Sequence, residues 1–262
     1  MTILQKIIDQ RFYDLAKYET TTFQFEPIQG KRASLYETIK NSNTLEVIAE
    51  IKRASPSKGD ISLNVNPIHQ AIAYENGGAA CISVLTEPHF FKGSYEDLHN
   101  VAKTVAIPVL CKDFIVAPIQ IDIAAAAGAS VILLIVAALP QDHLQALFEY
   151  AIDQNLEVLV EVHTREELSR ALDLGAQLIG VNNRDLKTFQ VNLQHTVEIA
   201  QLLEGHDAVL VSESGVKTVE DAEFLASHGA KALLVGETLM RSEGAAQTLR
   251  SFKLPIQIGE VQ

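Results

Sequence analysis

The stretch Ile123–Pro140, IAAAAGASVILLIVAALP, carries no charged residue along its 18 positions. A run of that length could span a bilayer. Its internal order argues otherwise. It opens as an alanine-rich helical segment, breaks at Gly128-Ala129-Ser130, and resumes as the β-branched run Val131–Val136. Alanine favours helix, glycine takes the left-handed position past a helix end at least cost, and β-branched residues suit a buried strand. The stretch therefore predicts a helix end, a turn and a strand, in a soluble protein.

The same phrase recurs. Gly78-Ala79 precedes ACISVL, Gly175-Ala176 precedes QLIGV, and Gly229-Ala230 precedes KALLV, so the four glycines are spaced 50, 47 and 54 residues apart. Each interval is twice the length of one strand-plus-helix unit. Four further apolar runs fall between them: VIAEIK (47–52), IPVLCK (107–112), LEVLVE (156–161) and AVLVSE (208–213). Helical patterns such as Pro140–Gln154 and Leu193–Leu203 follow the strands. Eight alternating strands and helices demand parallel strands and close into an α/β fold, a single (β/α)₈ (TIM) barrel. An open doubly wound sheet is the alternative, and even spacing without a switch in pattern argues against it. A single domain is expected over 1–262, with a helical extension at 1–45 and the barrel at 46–255. In the extension, Leu4, Ile8, Phe12 and Leu15 fall on one helical face, opposite Asp9, Gln10 and Lys17.

Composition excludes several functions. The 262 residues are 47% hydrophobic and 21% charged, as in ordinary globular proteins. Lys and Arg number 21 against 33 Asp and Glu, a net charge of −12, and no basic stripe is present. Such a surface repels nucleic acid and anionic membrane alike. Cys81 and Cys111 sit in apolar runs without CxxC spacing and read as buried reduced thiols. The N-terminal residues lack the apolar core of a signal peptide. A cytoplasmic location and a monomer are the working expectations.

In a barrel of this type, aliphatic side chains fill the interior and chemistry occupies the C-terminal ends of the strands. Polar residues interrupt the apolar pattern at those ends: Glu50 and Lys52, Lys112, Glu161, Asn182, and Glu213-Ser214. Any one could be a solvated terminus. Two ammonium groups and three carboxylates at one mouth must perturb one another's proton affinities, as acid–base chemistry requires. Anion capture is expected beside them. Gly215 and Gly236-Glu237 follow the last two strand runs, where loop backbone N–H groups commonly hold phosphate. The loop Arg53–Gly59 adds Ser55, Ser57 and cations over the same mouth. No GxGxxG, Walker loop or HExxH spacing is present, so neither cofactor nor metal is expected. His163, near Glu161, reads as a neighbour and not as a ligand.

On these residues the chain resembles the indole-3-glycerol-phosphate synthase family. The phrases are IAEIKRASPSKG (48–59), LTEPHFFKGS (85–94), LCKDFIV (110–116), LVEVHT (159–164), IGVNNRDL (179–186), VSESGV (211–216) and LLVGETLM (233–240). They run in order across nearly the whole chain. The resemblance implies a phosphorylated small-molecule substrate, 1-(2-carboxyphenylamino)-1-deoxyribulose 5-phosphate, and loss of CO₂ and water in tryptophan biosynthesis. Some relatives carry a fused isomerase; only the synthase activity is expected here. The resemblance further implies Lys112 as general acid and Lys52 as partner of the substrate carboxylate. Glu161 and Glu50 become base and charge partner, and Glu213, Ser214 and Asn182 orient the rest. Phe91, Phe114, Leu133 and Leu186 would wall the aromatic ring, and Ser57 and Arg184 would contact substrate. Two other readings compete: a Schiff-base phosphosugar aldolase, and a non-catalytic phosphate-ligand sensor on the same scaffold.

Overall fold

The computed structural model of the protein describes residues 1–28, 30 and 32–256; the end of the expected domain, 257–262, lies outside the described residues. Eight parallel strands form a closed barrel in sequential order. They are β1 (Glu46–Ile51), β2 (Cys81–Leu85), β3 (Val109–Lys112), β4 (Val131–Ile135), β5 (Glu157–Val162), β6 (Leu178–Asn182), β7 (Val209–Glu213) and β8 (Ala232–Val235). Closure comes from β1, which pairs with β2 on one side and with β8 on the other. The decisive stretch resolves as expected. Helix ends at Ala126, Gly128 turns with φ +94°, and β4 follows. Gly78, Gly175 and Gly229 take the same left-handed conformation ahead of β2, β6 and β8.

Side chains alternate across each strand. One parity points into the barrel: Ile48, Leu110, Leu133, Leu159, Val211 and Leu234 belong to an inner cluster. The other parity, including Val47, Val84, Ile132, Val160 and Leu233, packs outward against the helices. Carried forward along each strand, the inward parity reaches Glu50, Lys112, Glu161, Asn182 and Glu213. The polar residues therefore meet inside the C-terminal mouth because the pleat has period two.

Two helices precede the barrel, α1 (Ile3–Thr20) and α2 (Leu35–Lys40). α2 supplies Leu35, Tyr36 and Ile39 to the inner cluster and so plugs the N-terminal end of the barrel. Its first turn is held by the Glu157 carboxylate, which accepts from Ser34 Oγ and from the Leu35 and Tyr36 N–H groups. α1 corrects the sequence expectation. Its buried residues are Ile7, Ile8, Arg11, Asp14 and Tyr18, whereas Phe12 is 49% exposed. Ile8 is buried and Leu4 and Leu15 pack against the core as expected, while Phe12 turns outward because two charged residues, Arg11 and Asp14, neutralised by partners, share the docked face. Among the described residues no helix is long and apolar enough to cross a membrane. Cys81 and Cys111 are both buried and unpaired.

Candidate active site

The mouth opens into a cavity of about 650 Å³. Its floor is a charge network. Lys112 Nζ lies 3.1 Å from Glu213 Oε2 and 3.6 Å from Glu50 Oε2. Lys52, just past β1, donates to Glu50 Oε1 at 2.5 Å. On the opposite side, Asn182 Nδ2 donates to Glu161 Oε1 at 3.1 Å, and Asn182 Oδ1 accepts from the Arg184 N–H. The Lys112 contacts and the Asn182–Glu161 bond join the ends of different strands, so barrel closure assembles the network, while Lys52 and Arg184 add bonds within their own strand ends.

Backbone space decides where the carboxylates lie. A Cβ at Gly180 would come within 2.1 Å of Glu213 Oε1, and one at Gly236 within 2.4 Å of Glu50 Oε1. Both glycines leave room for a buried carboxylate that any other residue would displace.

Burial opposes charge on Lys112, yet Glu213, Glu50 and Glu161 outweigh it and hold its ammonium well above the usual lysine range. Glu213 shows the reverse. Burial dominates, Lys112 offsets only part of it, and repulsion from Glu161 and Glu50 adds to it, pushing this carboxyl up to about 7. Burial also acts on Glu50, but Lys52 and Lys112 overcome it and keep its carboxylate below the ordinary range. The mouth thus holds a persistent cation, a persistent anion and a carboxyl that exchanges its proton near neutrality. Two titratable groups pushed apart in this way are what acid–base chemistry uses.

One wall is apolar. Phe91 and Phe114 face each other with ring centroids 5.7 Å apart, and Leu133 and Leu186 extend the surface. The fully buried Glu87 shapes this wall: its carboxylate accepts the N–H groups of His89, Phe90 and Phe91 at 2.8, 2.7 and 2.9 Å. The other wall is formed by Ser214-Gly215, Gly236-Glu237, Ser55 and Ser57. Ser214 and Gly215 are consecutive residues with positive φ, +67° and +96°. Successive left-handed residues turn N–H groups to one side, a geometry suited to anions. The Glu237 carboxylate is occupied by Lys58 at 3.4 Å and Arg241 at 3.3 Å, which leaves backbone N–H groups as the donors at that position. The loop after β1 folds into a short antiparallel hairpin, Ala54–Ser55 with Gly59–Asp60, over the same mouth.

All the candidate site residues named from sequence, from Glu50 to Glu237, line this one cavity. Ile3, Leu4 and Ile7 of α1 also line it, as the family resemblance implies for the leading segment. Sequence reasoning missed several supports. Arg11, wholly buried, donates to Asp14 at 2.9 Å, to Tyr18 Oη at 2.6 Å, and to Asp113, the neighbour of Lys112, at 2.9 Å. Asn183 Nδ2 donates to Ser212 Oγ and to the carbonyls of Glu213 and Ser214, fixing the ends of β6 and β7. The Lys-Asp and Asn-Asn pairs at the strand ends were the only signal for Asp113 and Asn183. Arg11 had none. Among the described residues no group of three or more His, Cys, Asp or Glu is arranged to hold a metal ion.

Comparison with known proteins agrees with this geometry. A family model described as indole-3-glycerol phosphate synthase matches residues 4–252. The indole-3-glycerol phosphate synthase of Oceanobacillus iheyensis is 48% identical over 256 residues, covering 98% of this chain and 98% of that protein. The enzyme of the same name from Listeria monocytogenes serovar 1/2a is 50% identical, covering 95% of this chain and 99% of the relative. Among solved structures, the thiamine phosphate pyrophosphorylase of Pyrococcus furiosus superposes with a TM-score of 0.61 at 17% identity, over 79% of this chain and 93% of that one. KGPDC of Streptococcus mutans gives 0.62 at 13% identity, over 80% and 95%. The last two show the shared barrel alone.

Proposed function

Because the chain belongs to the indole-3-glycerol phosphate synthase family, a carboxy-lyase of tryptophan biosynthesis, we propose that the charged mouth described above carries its chemistry. The observation that supports this most is the position of Lys112: an ammonium between two carboxylates, at the floor of a cavity with one aromatic and one glycine-rich wall. The substrate, 1-(2-carboxyphenylamino)-1-deoxyribulose 5-phosphate, has matching ends. Its aromatic ring suits the Phe91, Phe114, Leu133 and Leu186 surface, and its phosphate suits the N–H groups of Gly215 and Gly236 with the Ser55 and Ser57 hydroxyls. Ser57 and Arg184 line the path between.

Ring closure requires an aromatic carbon to attack the sugar carbonyl as its oxygen gains a proton. Lys112 is the donor in our reading. An ammonium held so firmly stays charged at working pH and yields its proton only to an oxygen made strongly basic, as the carbonyl oxygen becomes during attack. Lys52 pairs with the substrate carboxylate until CO₂ departs, then assists loss of the hydroxyl. Glu161 removes the proton whose loss completes the indole, Glu50 anchors both lysines, and Glu213, Ser214 and Asn182 orient Lys112 and the sugar hydroxyls. Each positioned donor or base is worth ~10²–10⁴-fold in rate. The reaction as written uses no cofactor. Buried free thiols support a cytoplasmic setting, and action as a monomer remains the working expectation. The Arg11–Asp113 pair supports treating 1–45 and the barrel as one domain.

The test uses the absence of tryptophan from the chain. Incubation with substrate should produce indole emission that grows with time, stays with the small-molecule fraction, and tracks CO₂ release. Consumption without either product would point to the aldolase, and binding without turnover to the sensor.

A further inference from the structure

His163 lies two residues beyond Glu161, on the same inward parity, with a side chain 15% exposed. Glu167, in the first turn of the helix Arg165–Asp173, grips it from behind. Glu167 Oε2 accepts the His163 backbone N–H at 2.7 Å and faces its Nδ1 at 3.2 Å. A carboxylate accepting at Nδ1 fixes the hydrogen on that nitrogen and leaves Nε2 free to accept on the side of Glu161. There Nε2 stands 3.5 Å from Glu161 Oε1, buried, with no hydrogen-bond partner. A buried nitrogen in that state is destabilising. Packing alone gives no return for it, whereas an atom that is paired in only part of a catalytic cycle would be found in this condition.

We propose that His163 is a positioning residue that relays the proton of Glu161, an inference that rests on reading Glu161 as a base. Once Glu161 has taken a proton from substrate, its O–H bond breaks and an Nε2–H bond forms. The products are the Glu161 carboxylate and a His163 imidazolium, with Nδ1–H still directed at Glu167. The imidazolium then gives up its Nδ1 proton to water through Glu167, whose side chain is 17% exposed where Nε2 is buried, and tautomer exchange restores the ring for the next turnover. Charged groups face the ring from three elements: Glu161 on β5, Glu167 on the following helix, and Glu213 on β7. Burial resists protonation of the ring, but these carboxylates prevail and lift its proton affinity above that of an ordinary histidine. Lys112 confronts Glu161 from β3 and completes the set.

Three variants test the relay. His163→Asn keeps an N–H directed at Glu167 and removes Nε2. It should bind substrate with a Michaelis constant within about threefold of the parent, lose ~10-fold or more in turnover, and lack the imidazole step in the pH profile of kcat. Glu167→Gln still accepts from the ring and the backbone but carries no charge, so the same step should move to lower pH. Glu161→Gln should abolish turnover whatever His163 does. Parental turnover and an unchanged profile in His163→Asn, with Glu161→Gln inactive, would overturn the relay alone. Full activity in Glu161→Gln would instead remove the reading beneath it. Should His163→Asn fail to fold, an unmoved profile in Glu167→Gln would overturn the relay.

Discussion

Lys112 and Glu213 are 3.1 Å apart and burial opposes charge on both, yet their neighbours carry them to opposite outcomes. The lysine remains a cation because three carboxylates surround it, and those same carboxylates make one another's ionisation costly. Lys112→Met removes the proton donor while keeping length and apolar stem. Turnover should fall ~10²-fold or more with the fold intact, and steady-state kinetics beside a thermal melt will check both. Glu213 adds a pH effect. Its folded carboxyl titrates near 7 against an ordinary 4.5, so in that interval the folded state binds more protons than the unfolded one. Its contribution to stability is present below pH 4.5 and is lost as pH rises toward 7. Parent and Glu213→Gln, compared by urea unfolding across that interval, should therefore converge or cross as pH increases. A parent that gains stability relative to the variant as pH rises would mean that Lys112 dominates the linkage.

At the scale of elements, α1 is tied to the barrel by a buried ion cluster as well as by an apolar stripe. Arg11 and Asp113 both have fully buried side chains, and Thr86 Oγ1 adds a bond to Asp113 at 2.6 Å. Asp14 also lies 3.1 Å from His89 Nε2, so the cluster reaches the segment that carries Phe91. Removing one member of a buried pair strands the other charge and costs about 3–5 kcal/mol. Arg11→Met should show that loss in denaturant unfolding. It should also slow turnover, because Ile3, Leu4 and Ile7 wall the mouth and Asp113 adjoins Lys112. Parental kinetics in a destabilised variant would confine α1 to packing.

For the molecule as a whole, a net charge of −12 repels an anionic substrate at long range. Capture of phosphate must then come from local donors, and the loops after β7 and β8 offer them. Gly215→Val forces a branched side chain onto φ +96°, with its Cβ 2.3 Å from Val191 Cγ1. Gly236→Val drives its Cβ toward Glu50. Both should raise the Michaelis constant, and inorganic phosphate, competitive in the parent, should lose potency against both. Unchanged constants would place the phosphate elsewhere in the cavity.

Much of this protein is legible in the chain alone. Strand number, order and parallel pairing follow from β-branched runs, glycine stops and even spacing, because each is a local preference summed over neighbouring residues. The polar strand ends follow as well, since period-two alternation carries Glu50, Lys112, Glu161, Asn182 and Glu213 to one side without knowledge of any partner. Tertiary structure alone decided the burial of Arg11 and Asp14, the exposure of Phe12, the seat that Gly180 leaves for Glu213, and the unpaired Nε2 of His163. The physical reason is that a charge is buried only where another group compensates it. The partner of Arg11 on the barrel, Asp113, lies 102 positions away in sequence, and no window on hydrophobicity reaches that far.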